Sequence, residues 1–460
     1  MKKQLLLTLI FCISILGYTQ TFTDNYITYD VANSTSVIIT DYDINGGTVV
    51  NIPATVDYNS NTYIVTIIAS SAFENKGLTS VTMTDNITAI YPFAFRNNAI
   101  TTLALSDNIT FLGGFSFSNN QITSVVIPSA LTTITTSAFS DNSLVSLVIP
   151  DNITTIQDNA FTLNSIQNLT LGTGLTSIGS QAFFNNQITS LVIPNNVTTL
   201  GTNAFGINQL QTVIISNNIT SIPNQAFRNN LLTSVTIPNG VTGIGTNAFS
   251  DNQLTSLVIP NSVTAIGTSA FSNNNISSLT LGNNVSFIGT TAFTNNNLTS
   301  VTFPESVTTI NNLAFGYNPN LTIVTSLSLT PPTIVTGGSL DTFYQIRSSA
   351  TLHIPSGTTG AYVTNPGALW TGFASVTEDA LSTSNFEIDN DVKIITTENS
   401  IKIVASNELQ LENYTIYNLS GQEITKGIET EIETTSFSKG IYLINLNFDS
   451  GTVAKKIIIK

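Results

Sequence analysis

The chain is 460 residues long, 41% apolar and only 9% charged, with a formal net charge of −14. This balance excludes a disordered chain, which would combine low hydrophobicity with dense charge. It also excludes nucleic acid and argues against anionic membrane surfaces. Between residues 20 and 390 the only cations are Lys76, Arg96, Arg228 and Arg347, whereas phosphates are held by clusters of Lys and Arg.

Residues 1–19 read as a signal peptide. Lys2 and Lys3 precede an apolar run at 5–16, and small residues Gly17 and Thr19 flank Tyr18 at the cleavage point. The run is too short to span a bilayer, and no later segment offers about 18 uninterrupted apolar residues, so no transmembrane span is expected. The single cysteine, Cys12, lies inside this leader. The exported chain then has no disulfide, thiol nucleophile or cysteine–metal site.

Residues 20–70 read as a β region. Asn45-Gly46 suggests a hairpin turn between strands at 37–40 and 48–51. The spelling Asp41-x-Asp43-x-Asn45-Gly46 is also the start of a calcium loop, but Ile52 stands where the twelfth-position acid belongs. Asp24, Asp30 and Asp57 nearby leave a weak surface calcium site open, while no metal or cofactor is otherwise expected.

Phenylalanine then recurs every 22 residues, twelve times, from Phe73 through Phe95 and Phe117 to Phe315. One unit starts at Leu254, with apolar side chains at Leu254, Leu257, Ile259, Val263, Ile266 and Phe271. Leu257-Val258-Ile259 alternates as a strand does, and Pro260 ends it because proline cannot donate to a ladder. Gly267 marks a turn, and Ser269-Ala270-Phe271 reads as a short helical or 3₁₀ turn. So few buried side chains cannot offset the ordering of a whole unit, so the units must stack as a solenoid. An asparagine follows each phenylalanine from Phe95 onward by three residues, from Asn98 to Asn318, eleven in all, and reads as a structural amide ladder. Threonines from Thr88 to Thr308, interrupted by Ser286, form a second file.

The unit L-x-x-L-x-I-P-x-x-V-x-x-I-G-x-x-A-F-x-x-N, carried by Ile193-Pro194 with Ala204-Phe205, resembles the BspA-like bacterial leucine-rich repeats. Family members often have cysteine where this chain has its asparagine file. The resemblance implies a mainly β, right-handed leucine-rich-repeat solenoid at 71–325. It also implies an N-terminal β cap at 20–70 and a C-terminal cap at 326–380, the latter carried by Leu352-His353-Ile354, Tyr362, Trp370 and Phe373. Residues 381–460 read as a small β-sandwich with strands at 392–396, 400–404, 414–418, 440–446 and 453–459. Tyr414-Thr415-Ile416-Tyr417-Asn418-Leu419-Ser420-Gly421, Gly440-Ile441-Tyr442-Leu443, Gly451-Thr452 and Lys455-Lys456 resemble the sorting domain of type IX secretion in Bacteroidetes. Gly440, Tyr442, Gly451, Lys455 and Lys456 are its signature residues here, although the usual proline-containing opening is missing at 387–390. The resemblance implies the type IX machinery as a partner and a secreted chain, either released or held at the outer surface of the outer membrane.

No catalytic constellation is apparent. His353 is the only histidine, read as an outward residue of a cap strand. The acids Asp85, Asp107, Asp141, Asp151, Asp158, Asp251 and Glu305 read as rung edges rather than a carboxylate pair. The expectation is a non-enzyme. What remains is a surface: the outward strand residues Thr82, Ala104, Val126, Val148, Thr170, Val192, Ile214, Thr236, Val258, Thr280 and Thr302, beside a file of small hydroxyls from Ser80 to Ser300. These form a candidate binding face for an extracellular protein or glycan, as the family's association with surface adhesion implies. The alternative is a structural spacer with no specific ligand, because Val and Thr suit any parallel ladder. Paired Thr-x-Thr files that could match an ice lattice are absent.

Overall fold

A computed structural model describes residues 20–379, 392–397, 400–405, 410–418, 422–448 and 451–459. The leader with Cys12, the segment 387–390 and Leu419-Ser420-Gly421 lie outside the described residues. The chain divides into two compact units, at 1–377 and 378–460.

The first unit is a solenoid of stacked turns. Most rungs present a short strand on one face, as at Ser256–Val258, with none at 124–126 or 234–236, and every rung a two-residue strand on a second, as at Ala265–Ile266. Rungs pair in parallel at an offset of one repeat: Leu257 faces Leu279, and Ile266 faces Ile288. All six apolar residues of the unit at Leu254 are buried, as is Ala270. The phenylalanines form one column of stacked rings, 4.9 Å apart between Phe73 and Phe95 and 6.1 Å between Phe205 and Phe227.

The turn around Phe271 is not helical. Ala270 N–H donates to Gly267 O within the turn, whereas Ser269 and Phe271 donate to Thr290 and Ala292 of the next rung. Alternate amides thus serve the stack, which a helix would not allow. That alternation needs a left-handed residue two before and two after each phenylalanine, here Ser269 (φ 54°) and Asn273 (φ 56°).

The N-terminal region corrects the expected hairpin. Asn45-Gly46 lies in a 3₁₀ turn, Ile44–Gly46, whose N-cap is Asp43. The flanking strands join different sheets. Ser36–Tyr42 pairs with Ile27–Val31 and Asn61–Ile68, whereas Val49–Asn51 pairs with Ser80–Thr82 on the first face of the solenoid. The two-residue hairpins turn at Asn25-Tyr26 (φ 46° and 67°) and Asn59-Ser60 (φ 50° and 63°), with both φ positive, and a longer loop at 32–35 joins the antiparallel pair Ile27–Val31 and Ser36–Tyr42. Asn61–Ile68 then continues into the second face through Ile68 opposite Ile90. The region therefore covers the open end of both sheets.

At the other end, Ile323–Ser326, Thr351–Pro355 and Ser375–Asp379 extend the first face. Trp370 and Tyr362 fill the last rung; the indole N–H donates to Pro332 O at 2.9 Å, and the phenol donates to Ser328 O at 2.7 Å. Arg347 is clamped by Asp341 at 2.8 Å and lies over Phe343 and Phe373.

The second unit has two antiparallel sheets sharing one core. One contains Val392–Thr396, Ser400–Ala405 and Glu431–Glu433; the other contains Glu423–Gly427, Leu411–Asn418, Gly440–Phe448 and Gly451–Ile459. The strands at 423–427 and 431–433 carry no clear sequence signal, because each has a single large apolar residue, Ile424 or Ile432, among polar and charged ones.

Candidate binding face

The in-register parallel stack places equivalent residues of successive rungs side by side, so the first face is a set of files. Thr82, Ala104, Thr170, Thr236, Thr280 and Thr302 are exposed on it. Val126, Val148, Val192, Ile214 and Val258 are 80, 60, 58, 63 and 64% exposed. None of these outward positions, nor the flanking file from Ser80 to Ser300, carries a charge.

The ladder on this face is interrupted, and proline sets where. Strand pairing reaches the rungs that carry Thr84, Ser106, Gly172, Ser216 or Gly282 just past the strand. The rungs with Pro128, Pro150, Pro194, Pro238, Pro260 or Pro304 there do not pair with the rung before them. Proline has no N–H to donate backwards, and its ring stands where paired rungs come closest, although the smaller Thr84, Ser106 and Ser216 are accommodated there. A Cβ on Gly172 would stand 2.5 Å from Pro150 O, and one on Gly282 would stand 2.4 Å from Pro260 O. A proline ring at these positions holds its rung off the preceding one.

Two shallow clefts result. One, about 510 Å³, includes Thr170, Thr173, Ser190, Val192, Asn195 and Asn196. The other, about 730 Å³, includes Ser234, Thr236, Ser256, Val258, Asn261 and Thr280. Both are lined by hydroxyls, amides and aliphatic carbon, a chemistry suited to uncharged ligands.

The remaining faces are mostly self-satisfied. In the file from Asn98 to Asn318 the amides do not bond one another. Asn274 Nδ2 donates to Phe249 O (3.0 Å), Phe271 O (3.2 Å) and Ser272 O (3.2 Å), while its Oδ1 accepts from Leu254 N–H (3.0 Å). The threonine file bonds backbone to backbone, as in Thr264 N–H to Thr242 O at 2.9 Å. A second amide file stands one residue before the first. Asn97 donates to Asn75 at 3.0 Å, Asn119 to Asn97 at 2.8 Å, and Asn295 to Asn273 at 3.0 Å. Interruptions by Leu163, Ile207 and Tyr317 hid its period.

Most of the acids noted in the sequence hold structural hydrogen bonds or an ion pair. Asp43 caps its turn, accepting from Asn45 N–H at 2.9 Å, and Asp41 pairs with Lys76 at 2.8 Å. Burial pushes the Asp41 carboxyl up, but the hydrogen bond of Lys76, the backbone N–H of Tyr42 and the Lys76 charge together outweigh it and hold the group below its ordinary value. Asp30 and Asp57 accept from Thr21 and Thr62, both at 2.6 Å, and Asp24 accepts from Asn25 at 3.0 Å. Asp151 and Asp158 accept backbone N–H groups of the next rung, from Thr173 at 2.6 Å and Ser180 at 2.7 Å. Asp141 is pushed up by desolvation, and burial raises the Tyr362 phenol to about 12. His353 is half-buried between Leu352 and Ile354 on the last-but-one strand of the face. Among the described residues no three His, Cys, Asp or Glu are grouped to hold a metal, and no helix is long and apolar enough to cross a membrane.

In the second unit, Gly440 faces Ile459, Tyr442 faces Ile457, Ile444 faces Lys455, Leu443 faces Lys456 and Phe448 faces Gly451. The buried Tyr442 donates its hydroxyl to Ser438 O at 2.8 Å, fixing the start of the hairpin.

Stacked 22-residue turns around a phenylalanine column and an asparagine file define a leucine-rich-repeat β-solenoid. Known families agree: the BspA type leucine rich repeat region, in six copies, matches residues 55–165, 137–255 and 242–360, and a secretion system C-terminal sorting domain matches 396–460. The chain belongs to the BspA-type leucine-rich-repeat family and carries a type IX sorting tail, which marks it for secretion and outer-surface attachment. A leucine-rich repeat protein from Bacteroides ovatus ATCC 8483 is 22% identical, with a TM-score of 0.60 over 77% of this chain and all (100%) of that one. A leucine rich cell surface protein from Faecalibacterium prausnitzii A2-165 is 23% identical, with a TM-score of 0.48 over 81% of this chain and 97% of that one. No curated protein matches, and no catalytic family is indicated.

Proposed function

We propose that the chain is an extracellular adhesion or ligand-binding scaffold whose first face engages an uncharged surface on a protein or glycan. The observation that carries this reading is the row of exposed aliphatics, Val126, Val148, Val192, Ile214 and Val258, in files of outward residues that carry no charge between residues 80 and 302. Exposed apolar area in a continuous arrangement marks interaction sites. Threonine at the same position in Thr170 and Thr280 supports strand pairing equally well, so strand formation alone does not require the valines. Recognition would spread over many weak contacts and the two clefts.

The test is binding to glycan and protein arrays by the secreted chain and by a variant with Val148, Val192, Ile214 and Val258 all changed to lysine. Lysine at these outward positions leaves the core untouched. A specific ligand lost in the folded variant is the expected result. A ligand retained by the variant removes this face from consideration, and no ligand on either array favours a structural spacer.

A further inference from the structure

We infer that the chain has a second ligand site, a platform for neutral saccharide rings made by Tyr91, Phe93, Phe111 and Phe115 on the turn side of two adjacent rungs. It is independent of the first face. Where these rungs have Phe93 and Phe115, the others have mostly small or polar residues such as Ser71, Ser137, Asn159 and Gln181. The two rings are half-buried and stacked at 5.3 Å and 19°. Tyr91 meets Phe111 edge-on at 5.6 Å, and Phe111 is 45% exposed.

Phe93 and Phe115 sit at φ 64° and 59°, a conformation that bulky residues rarely adopt. Ser116 next to them is fully buried and its hydroxyl has no hydrogen-bond partner, whereas the other rungs have alanine there. Departures from a chain's own repeat that carry strain are expected where function constrains the sequence.

The surroundings define the ligand. Arg96 lies over both rings, 5.4 Å and 5.8 Å from their centroids, which leaves Phe111 as the most open aromatic. Glu74 stands 3.7 Å from Arg96, and Asp41 neutralises Lys76 one rung earlier at 2.8 Å. Balanced charge selects neither an anion nor a cation. Asn97 and Asn119 follow in the same turns and Asn75 in the turn before, with Asn75 and Asn119 exposed; these amides bond one another and keep further donor and acceptor capacity. Aromatic faces are electron-rich and attract C–H edges, which the axial face of a pyranose presents while its hydroxyls turn outward to amides. Ring stacking with flanking amides is the chemistry of a neutral sugar.

The experiment is calorimetric titration of the secreted chain with cellohexaose, maltohexaose and xylohexaose, with hexagalacturonate as the charged counterpart. It is repeated on Phe93→Asn/Phe115→Ser, which installs residue types the other rungs already use, and on Val192→Lys/Val258→Lys. Phe111→Thr gives a second reading on a residue outside the strained turn. Binding of a neutral hexasaccharide, weakened about tenfold by the aromatic changes and unchanged by the lysines, is the expected result. The site is overturned if no neutral hexasaccharide binds, if the folded aromatic variants bind as the parent does, if the lysine variant alone loses binding, or if hexagalacturonate is preferred.

Discussion

Two positions in every rung take left-handed φ, and the side chains there differ in how well they tolerate it. Asparagine is the usual occupant two residues after the phenylalanine, as at Asn185 and Asn229, yet Ile207 sits between them at φ 53°. A β-branched residue pays about 1–2 kcal/mol for that conformation. Ile207→Asn also completes an amide file with its two neighbours. We expect it to raise stability by about 1 kcal/mol, read as a higher denaturant midpoint at constant slope; an unchanged or lower midpoint would contradict the strain assignment. Asp141 occupies the same position one rung after Asn119. Desolvation raises its carboxyl, so the folded state takes up a proton more readily than the unfolded one. Stability is therefore lost as pH rises from the ordinary carboxylate value through the raised one. Asp141→Asn should raise the melting temperature at pH 7 by an amount worth well under ~1 kcal/mol, because solvent screens an outward group. The gain should vanish near pH 3, and a gain that persisted there would exclude an electrostatic origin.

At the scale of the element, the first face is a series of paired and unpaired rungs, and the residue just past each strand decides between the two states. Pro194 faces the rung of Gly172 across one of the two clefts. Pro194→Gly restores an N–H and removes the ring, so the rung can close onto its neighbour as Gly172 does onto Pro150. The expected outcome is slowed amide exchange across residues 168–192 and weaker binding of any ligand that uses the cleft. Exchange as fast as in the parent would mean that proline does not hold the cleft open. The asparagine file is the counterpart on the inner turn. Because each amide bonds backbone of its own rung and of the preceding one, it ties neighbours together whatever happens on the outer face.

At the scale of the molecule, the solenoid and the tail have separate cores. Stability of stacked repeats is a sum of rung and nearest-neighbour terms, and the sheet ends are closed at 20–68 and 323–379. A chain ending at residue 379 should melt at the temperature of the solenoid transition in the full chain, but should remain in the periplasm when expressed in a type IX-competent host. Immunoblotting of culture medium and cell fractions checks this; export of the shortened chain would show that the tail is dispensable.

The 22-residue recurrence of Phe, Asn, Thr and Ile-Pro determined by itself that the chain stacks, which side chains form the core, and which residues point outward. Those properties follow from period and polarity, which are local. The motifs of the last 65 residues likewise carried the route of export. Tertiary structure decided what depends on neighbouring rungs. Asn45-Gly46 has the local chemistry of a hairpin, but its flanking strands found better partners in two different sheets. The turn before each phenylalanine has the spelling of a helix, but its amides are drawn to the next rung. Proline's role in opening the first face appears only when Pro194 is seen against the carbonyls of the preceding rung. The aromatic platform likewise needs Phe93 and Phe115, 22 residues apart in sequence, to lie one above the other. Contacts across the stack are long-range in sequence, and no single rung encodes them.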